Sequence, residues 1–392
     1  MKAYVVETRK KIEPFGDLAR NCLILNRPLA ELQRDALERS GLEVIFVSSK
    51  VEISDCDEHL ITNDNVFFTP ELIALFLKLA REGGRVAVCA LTNGTTTQRT
   101  GAGIQDVPYG NSFTQYNLCY IPKDGHDNLS RVVTIDPDEF SFSVKVPRHM
   151  CGSKGYQIPM SDKLIVQIDH WANLWAANIV AILADGARLE RKTWSKKLWF
   201  AVKAWSFNKW KILWHLNKSG RGCDIHPTAY IEGSTIGENV TIGAKAVVRE
   251  SVIGNNVTIG NSTVVEESVI GENCAILKGH ILYSVFYPGV FSFAEMVSAS
   301  ILGQDVFIGS DVTLTDFRID GKNVTVIKNS KPVDSGNLFL GSCVGHRTRL
   351  GSGTIVVPGR MIPCDLQIVA RRERIVSGKF DDLVVEGPFI RR

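Results

Sequence analysis

Ser234-Thr-Ile-Gly-Glu-Asn239, Ser251-Val-Ile-Gly-Asn-Asn256 and Ser268-Val-Ile-Gly-Glu-Asn273 are three near-identical blocks set 17 residues apart. Inside each unit an aliphatic residue returns after six positions: Ile236 to Ile242, Ile253 to Ile259, and Ile270 to Ile276. The same step recurs in Leu302, Ile308 and Leu314, and again in Val344 and Leu350. A fixed repeat of this kind implies a solenoid, because one unit cannot bury its apolar face alone and stacked units can. Six residues per flat side and three sides per coil make a triangular prism with the aliphatic residues pointing inward. Gly and Asn suit its corners, since both tolerate positive φ. The expected fold is a left-handed parallel β-helix over 223–392.

The first hundred residues alternate differently. Ala3–Val6 is a β-branched run, and Leu42–Val47, Leu60–Ile61 and Arg85–Leu91 have strand composition. Between them, Arg27–Ser40 carries a helical stripe (Leu29, Leu32, Ala36, Leu37) stopped by Gly41. Pro70 opens a second helix that runs to the Gly83-Gly84 stop. Strand–helix alternation predicts a parallel sheet with helices on its faces, hence a Rossmann-like α/β domain over 1–188. Residues 92–160 resist assignment, and 162–188 reads as a helix. The stretch 189–222 is a Trp/Lys-rich helical linker, holding Trp194, Trp199, Trp205, Trp210 and Trp214 with lysines between them. Such a helix fits a junction between two domains, a partner-protein surface, or peripheral membrane contact through 191–217, where rings sit at headgroup level and lysines reach anionic lipid.

A net charge of +3 over 392 residues gives no electrostatic case for nucleic acid. The nine cysteines are widely spaced, which reads as reduced thiols without a disulfide framework or zinc site. The start MKAYVVETRKK has no apolar signal segment, and the most apolar run, Leu164–Leu183, contains Asp169 and His170. A cytoplasmic location, with membrane association through the Trp-rich stretch as its variant, is expected.

Hexapeptide rungs behind an α/β domain resemble the two-domain sugar-1-phosphate nucleotidyltransferases, most closely the bifunctional N-acetylglucosamine-1-phosphate uridylyltransferase/glucosamine-1-phosphate acetyltransferase enzymes. Asn26–Val47 (NRPLAELQRDALERSGLEVIFV) is similar to the family segment leading through an N-K-P-L turn into the first long helix. Thr62-Asn-Asp-Asn-Val-Phe-Phe68 is similar to its N-G-D turn, which makes Asp64 the implied ligand of the catalytic Mg2+. Leu314–Gly359 resembles the distal coils of archaeal-type acetyltransferases. By the same resemblance the protein is a homotrimer whose acetyl-acceptor cleft lies in the distal coils, with acetyl-CoA or another acyl-CoA along the solenoid.

Two departures stand against the family chemistry. A triphosphate is wrapped by backbone amides of a glycine-rich loop; the corresponding stretch here, Glu7–Leu23, contains only Gly16, and the family's P-K-P lysine is missing. Arg9, Lys10 and Lys11 are the cations left to meet phosphates. The family's acetyl transfer uses a histidine as general base, and the alignment puts Phe293 there, a side chain that accepts no proton. His280 and His346 remain as alternative bases, each also readable as a polar corner residue. Arg318, Lys322, Lys328, Lys331, Arg347, Arg349 and Arg360, with Asp320 and Asp334, could line a groove for a sugar phosphate or nucleotide sugar. Three functions stay open: a binding protein with both family sites degenerate, acting in envelope polysaccharide or lipid-sugar metabolism; an acyl-CoA-dependent acyltransferase using another base; and a Mg-dependent nucleotidyltransferase working through Asp64.

Overall fold

The structure is a computed structural model describing residues 1–53, 57–123, 130–151, 155–191 and 216–369, with the strands Val384–Glu386 and Phe389–Arg391. Most of the Trp-rich stretch, and with it the membrane expectation, lies outside the described residues.

The amino-terminal domain is built on six strands: β1 (Lys2–Val6), β2 (Glu43–Val47), β3 (His59–Asn63), β4 (Ala87–Thr92), β5 (Phe113–Ile121) and β6 (Arg131–Ile135). Their order is β6-β4-β5-β3-β1-β2, parallel except for β5, which runs antiparallel to both β3 and β4. Helices α1 (Leu29–Arg39) and α2 (Pro70–Glu82) form where their apolar stripes and stops were read. Leu72, Ile73 and Phe76 of α2 pack with Val5, Leu60 and Cys89 into one core. Gly41 ends α1 with φ +78°, a conformation that a Cβ would strain.

The third long helix, α3, spans Trp171–Glu190 and not 162–188. The β-branched pair Ile165-Val166 belongs instead to a short strand, Ile165–Gln167, antiparallel to Val66–Phe68. His170 is extended and caps α3, its Nδ1 accepting from the Ala172 amide at 3.2 Å. Burial covers α3 on nearly every face, as expected of a helix clamped between layers. The Trp175 indole donates to the Tyr283 carbonyl of the solenoid (2.7 Å), while the Asn178 amide donates to the Leu23 carbonyl (3.0 Å).

From Lys218 the chain winds into a left-handed prism with three parallel sheets of eight, eight and seven short strands. Ile236, Ile253, Ile270, Phe286, Leu302 and Val344 stack along one inner edge, and Ile242, Ile259, Ile276, Ile308 and Leu350 along another. The block serines form a buried ladder: the Ser251 amide donates to Ser234 Oγ (3.1 Å), and Ser268 repeats this on Ser251 (3.1 Å). Asn239, Asn256 and Asn273 take φ of 55°, 55° and 58°, with each side chain donating to the next. The repeated glycines have a different reason from the one expected. Gly254 has no positive φ, but a Cβ there would lie 2.7 Å from the Glu272 backbone nitrogen of the next coil. Its role is close coil approach.

An insertion interrupts the prism between Leu314 and Cys343, carrying the hairpin Thr325–Lys328/Lys331–Asp334. The serine ladder continues across it, the Ser342 amide donating to Ser300 Oγ at 2.9 Å. The insertion is thus extruded sideways, towards the α/β domain, without disturbing the stack. Val324, Val326 and Leu340 join α3 and the loop before α1 in one core that spans both domains.

Candidate functional site

The carboxyl ends of β1 and β3 bring Thr8 and Asp64 together, at the edge where open α/β sheets place their ligands. Asp64 is 2% exposed and accepts from both the amide and the hydroxyl of Thr8, at 2.9 and 2.6 Å. Beyond it lies Asp169, which accepts from Asn65 Nδ2 (3.0 Å), the Asp106 amide (2.7 Å) and Gln167 Nε2 (2.8 Å). Lys10 Nζ stands 2.9 Å from Asp106 and 3.8 Å from Asp169. Lys328 crosses from the solenoid insertion to bond Asp106 at 2.6 Å and also donates to the Ile104 carbonyl. Burial works against the Lys10 ammonium, yet Asp106 and Asp169 outweigh it and its pKa is raised. Burial likewise opposes the Asp106 carboxylate, and Lys328 and Lys10 hold its pKa below the usual value.

These residues do not fit the family's magnesium. Two lysines neutralise the carboxylates around which a divalent cation would sit, and Thr8 already occupies an Asp64 oxygen. Among the described residues no group of three or more His, Cys, Asp or Glu is arranged to hold a metal ion.

The stretch Glu7–Leu23, which in the family resemblance wraps a triphosphate, folds as a small hairpin (Lys11–Ile12/Asp17–Leu18) and docks on the solenoid. Phe15 stacks on Tyr287 with ring centroids 5.4 Å apart and lies 4.9 Å from the His346 ring. Tyr287 Oη accepts from the Leu23 amide at 2.9 Å, and the Cys364 thiol donates to the Pro14 carbonyl at 3.0 Å. This loop is an interdomain strap. Arg9 and Lys11 are exposed, whereas Lys10 is engaged as described.

His346 is buried in the same contact. Its Nδ1 accepts from the Gln304 amide (2.7 Å), so Nε2 carries the proton and donates to Asp17 (3.0 Å). Both nitrogens are used. His280 is exposed on the third sheet, between Val264 and Met296 in the neighbouring coils. Phe293 follows Phe291, whose ring lies parallel to Phe307 at 5.6 Å and 5.7 Å from the Phe293 ring.

The basic residues are dispersed. Arg318 forks onto Asp320 in the insertion (Nε–Oδ1 2.9 Å), with Lys322 exposed beside them. Arg347 pairs with Asp365 at 2.6 Å, Arg349 points outward between Phe307 and Gln367, and Arg360 is exposed. Lys331 and Asp334 pair in the backbone register of the insertion hairpin with Lys328 and Thr325. Lys328 alone turns inward to the α/β domain. The sequence reading missed Lys10, Asp106 and Asp169 as a unit, although an aspartate inside the apolar run 164–183 was a visible sign of a buried polar site.

Residues 218–319 match the family described as GMPPB C-terminal domain. The matched segment holds the strictly periodic coils and ends in the insertion. The chain carries a left-handed β-helix whose regular coils are similar to that family. Over 75 residues it is 30% identical to an Escherichia coli K12 protein described as a putative uncharacterized acetyltransferase, YaiX; the match covers 19% of this chain. The chain spans about a third (33%) of the length of that curated relative. Among solved structures it is similar to the acetyltransferase domain of PglB from Neisseria gonorrhoeae FA1090, at 18% identity and a TM-score of 0.22. That likeness covers 38% of this chain and 54% of the other. No helix among the described residues is long and apolar enough to cross a membrane.

Proposed function

We propose that this protein binds a sugar phosphate or nucleotide sugar without transferring a group to it, in envelope polysaccharide or lipid-sugar metabolism. One observation carries the reading: the segment that would have to wrap a triphosphate is held against the solenoid by Phe15, Pro14 and Asp17. Nucleotidyl transfer places a metal and a mobile phosphate loop at the strand ends. Here lysines and a docked strap stand in those places. The ligand class is supported by the nucleotidyltransferase-like architecture and by the cations of the distal coils, half-buried Arg318 and exposed Lys322, Arg347, Arg349 and Arg360; the guanidinium forks of Arg349 and Arg360 suit phosphate.

A second reading is favoured by the outer face of the distal coils, where Phe291, Phe293 and Phe307 present stacked rings beside Arg349. In a homotrimer this face would meet a neighbour and an acyl-CoA would lie between them, with exposed His280 as the base of an acyltransferase. A cytoplasmic location, with lipid contact through 191–217, accommodates both readings.

Thermal melting with UDP-N-acetylglucosamine, UTP with Mg2+, and acetyl-CoA separates them, because a ligand selective for the native state raises Tm. The binding reading expects a rise with the nucleotide sugar and none with UTP and Mg2+. Pyrophosphate release from UTP and a sugar 1-phosphate, or free-thiol release from acetyl-CoA with a hexosamine phosphate, would overturn it.

A further inference from the structure

Three parts of the chain border a half-open cavity of about 250 Å³: α3, the hairpin Phe140–Val144/Tyr156–Met160, and the solenoid corner with its insertion. The walls are largely aliphatic, with Ile158 from the hairpin, Ile179, Val180 and Leu183 from α3, and Leu282 and Ala299 from the coils. Only a few polar side chains reach it, among them Arg99 and Asp316.

Arg99 ends the short helix Thr95–Arg99, and its guanidinium lies 4.0 Å from the centroid of the Tyr156 ring. Its Nη1 donates to the Gly336 carbonyl at 3.0 Å, but its buried Nε has no hydrogen-bond partner. No carboxylate pairs with it among the described residues. Asp316 lines the same cavity and is bonded to the Ser298 hydroxyl at 2.7 Å, not to the arginine. Burial depresses the Arg99 pKa and raises that of Asp316, as expected of two ionisable groups held apart in an apolar space.

Arg99 is half-buried, and its Nε is withdrawn from water without a partner, which is unfavourable; its planar fork matches a carboxylate or phosphate. An apolar cavity with one or two convergent polar groups is the usual form of a small-molecule site. Its volume lies near the lower bound of the ~300–1,000 Å³ of drug-sized sites and fits a short chain.

We propose that this cavity binds a short-chain amphiphile with a single anionic head, a carboxylate or a phosphate, paired to Arg99, with its tail lying between α3 and the coils. The proposal is independent of the sugar-phosphate reading, which uses other residues.

Calorimetric titration of the full chain with octanoate, octyl phosphate and neutral octyl glucoside tests it. The expected result is saturable binding of at least one anion, about tenfold or more tighter than octyl glucoside. The better anion identifies the head group. Arg99→Met should weaken that anion about tenfold or more and leave octyl glucoside unchanged, and Val180→Phe, which fills the cavity, should abolish binding of both classes. Absence of binding by either anion, or equal binding of anions and octyl glucoside by the unmodified protein, would overturn the proposal without reliance on any variant folding. Retention of full anion affinity by Arg99→Met would do the same.

Discussion

At the strand ends of the α/β domain, Lys10 and Lys328 meet Asp106 and Asp169, and every charge has an opposite within 3.8 Å. Elsewhere on the same domain interface, Arg99 and Asp316 share one cavity and, among the described residues, pair with neither each other nor another charge. The two places have similar ingredients, cations and carboxylates brought in from both domains, and opposite outcomes. Charge that is neutralised internally joins the domains and leaves no demand for a cation. Charge left uncompensated inside an apolar wall is a demand for something that the chain does not itself supply. The comparison separates a charge cluster that joins the two domains from a cavity whose charges are left without each other.

The largest expected effect falls on the strap. Phe15 is buried between Tyr287 and His346, so Phe15→Ala should lower stability by about 3 kcal/mol, the low end for a buried phenylalanine, in urea unfolding followed by circular dichroism. A loss under about 1 kcal/mol would mean that the segment is a loosely held loop, and the contrast drawn above would fail.

Removing one cation from each place should then give unequal effects. Lys328→Met leaves Asp106 with Lys10 alone and should cost about 1–2 kcal/mol, reduced from the cost of breaking a fully buried pair because Asp106 is half exposed. Arg99→Met removes a half-buried charge with no carboxylate partner among the described residues and should leave stability unchanged or raise it by about 1 kcal/mol. Equal losses in the two variants, compared in the same urea series, would show that Arg99 has a partner after all.

The smallest effect at neutral pH concerns His170, which caps α3 and whose Nε2 donates to the Ile327 carbonyl of the insertion at 3.2 Å. Burial lowers its pKa to about 4 from the ordinary 6.5. The unfolded chain therefore binds the proton more readily, and this contribution to stability is complete above pH 6.5 and is lost as pH falls through about 4. His170→Asn, which keeps a capping side chain, should melt like the parent at pH 7.5 and lose less stability between pH 6.5 and 4. Parallel losses of Tm in the two proteins across that window would remove the assignment.

Most of the architecture was readable from local pattern. The prism follows from Ile236, Ile253 and Ile270 because a period that returns each aliphatic residue to the same inner edge needs no knowledge of distant residues. Helices α1 and α2 were equally plain, each having an apolar stripe and a glycine stop. Helix α3 was displaced because Ile165-Val166 found a strand partner a hundred residues earlier, at Val66–Phe68. Among the candidate residues, His346 and Lys328 look like solvent-facing polar groups in sequence; their burial depends on a strap and an aspartate more than two hundred positions away.

The chain by itself thus determined the repeating coil and the α/β alternation, because each is written in the stereochemistry of neighbouring residues. Only the tertiary structure decided what Glu7–Leu23 became, a strap on the solenoid. Whether a charge is a joint or an open site depends on what lies within a few ångströms of it, and across this interface those neighbours come from opposite ends of the chain. Lys328 finds Asp106 and, among the described residues, Arg99 finds no carboxylate, a difference that no local spacing encodes.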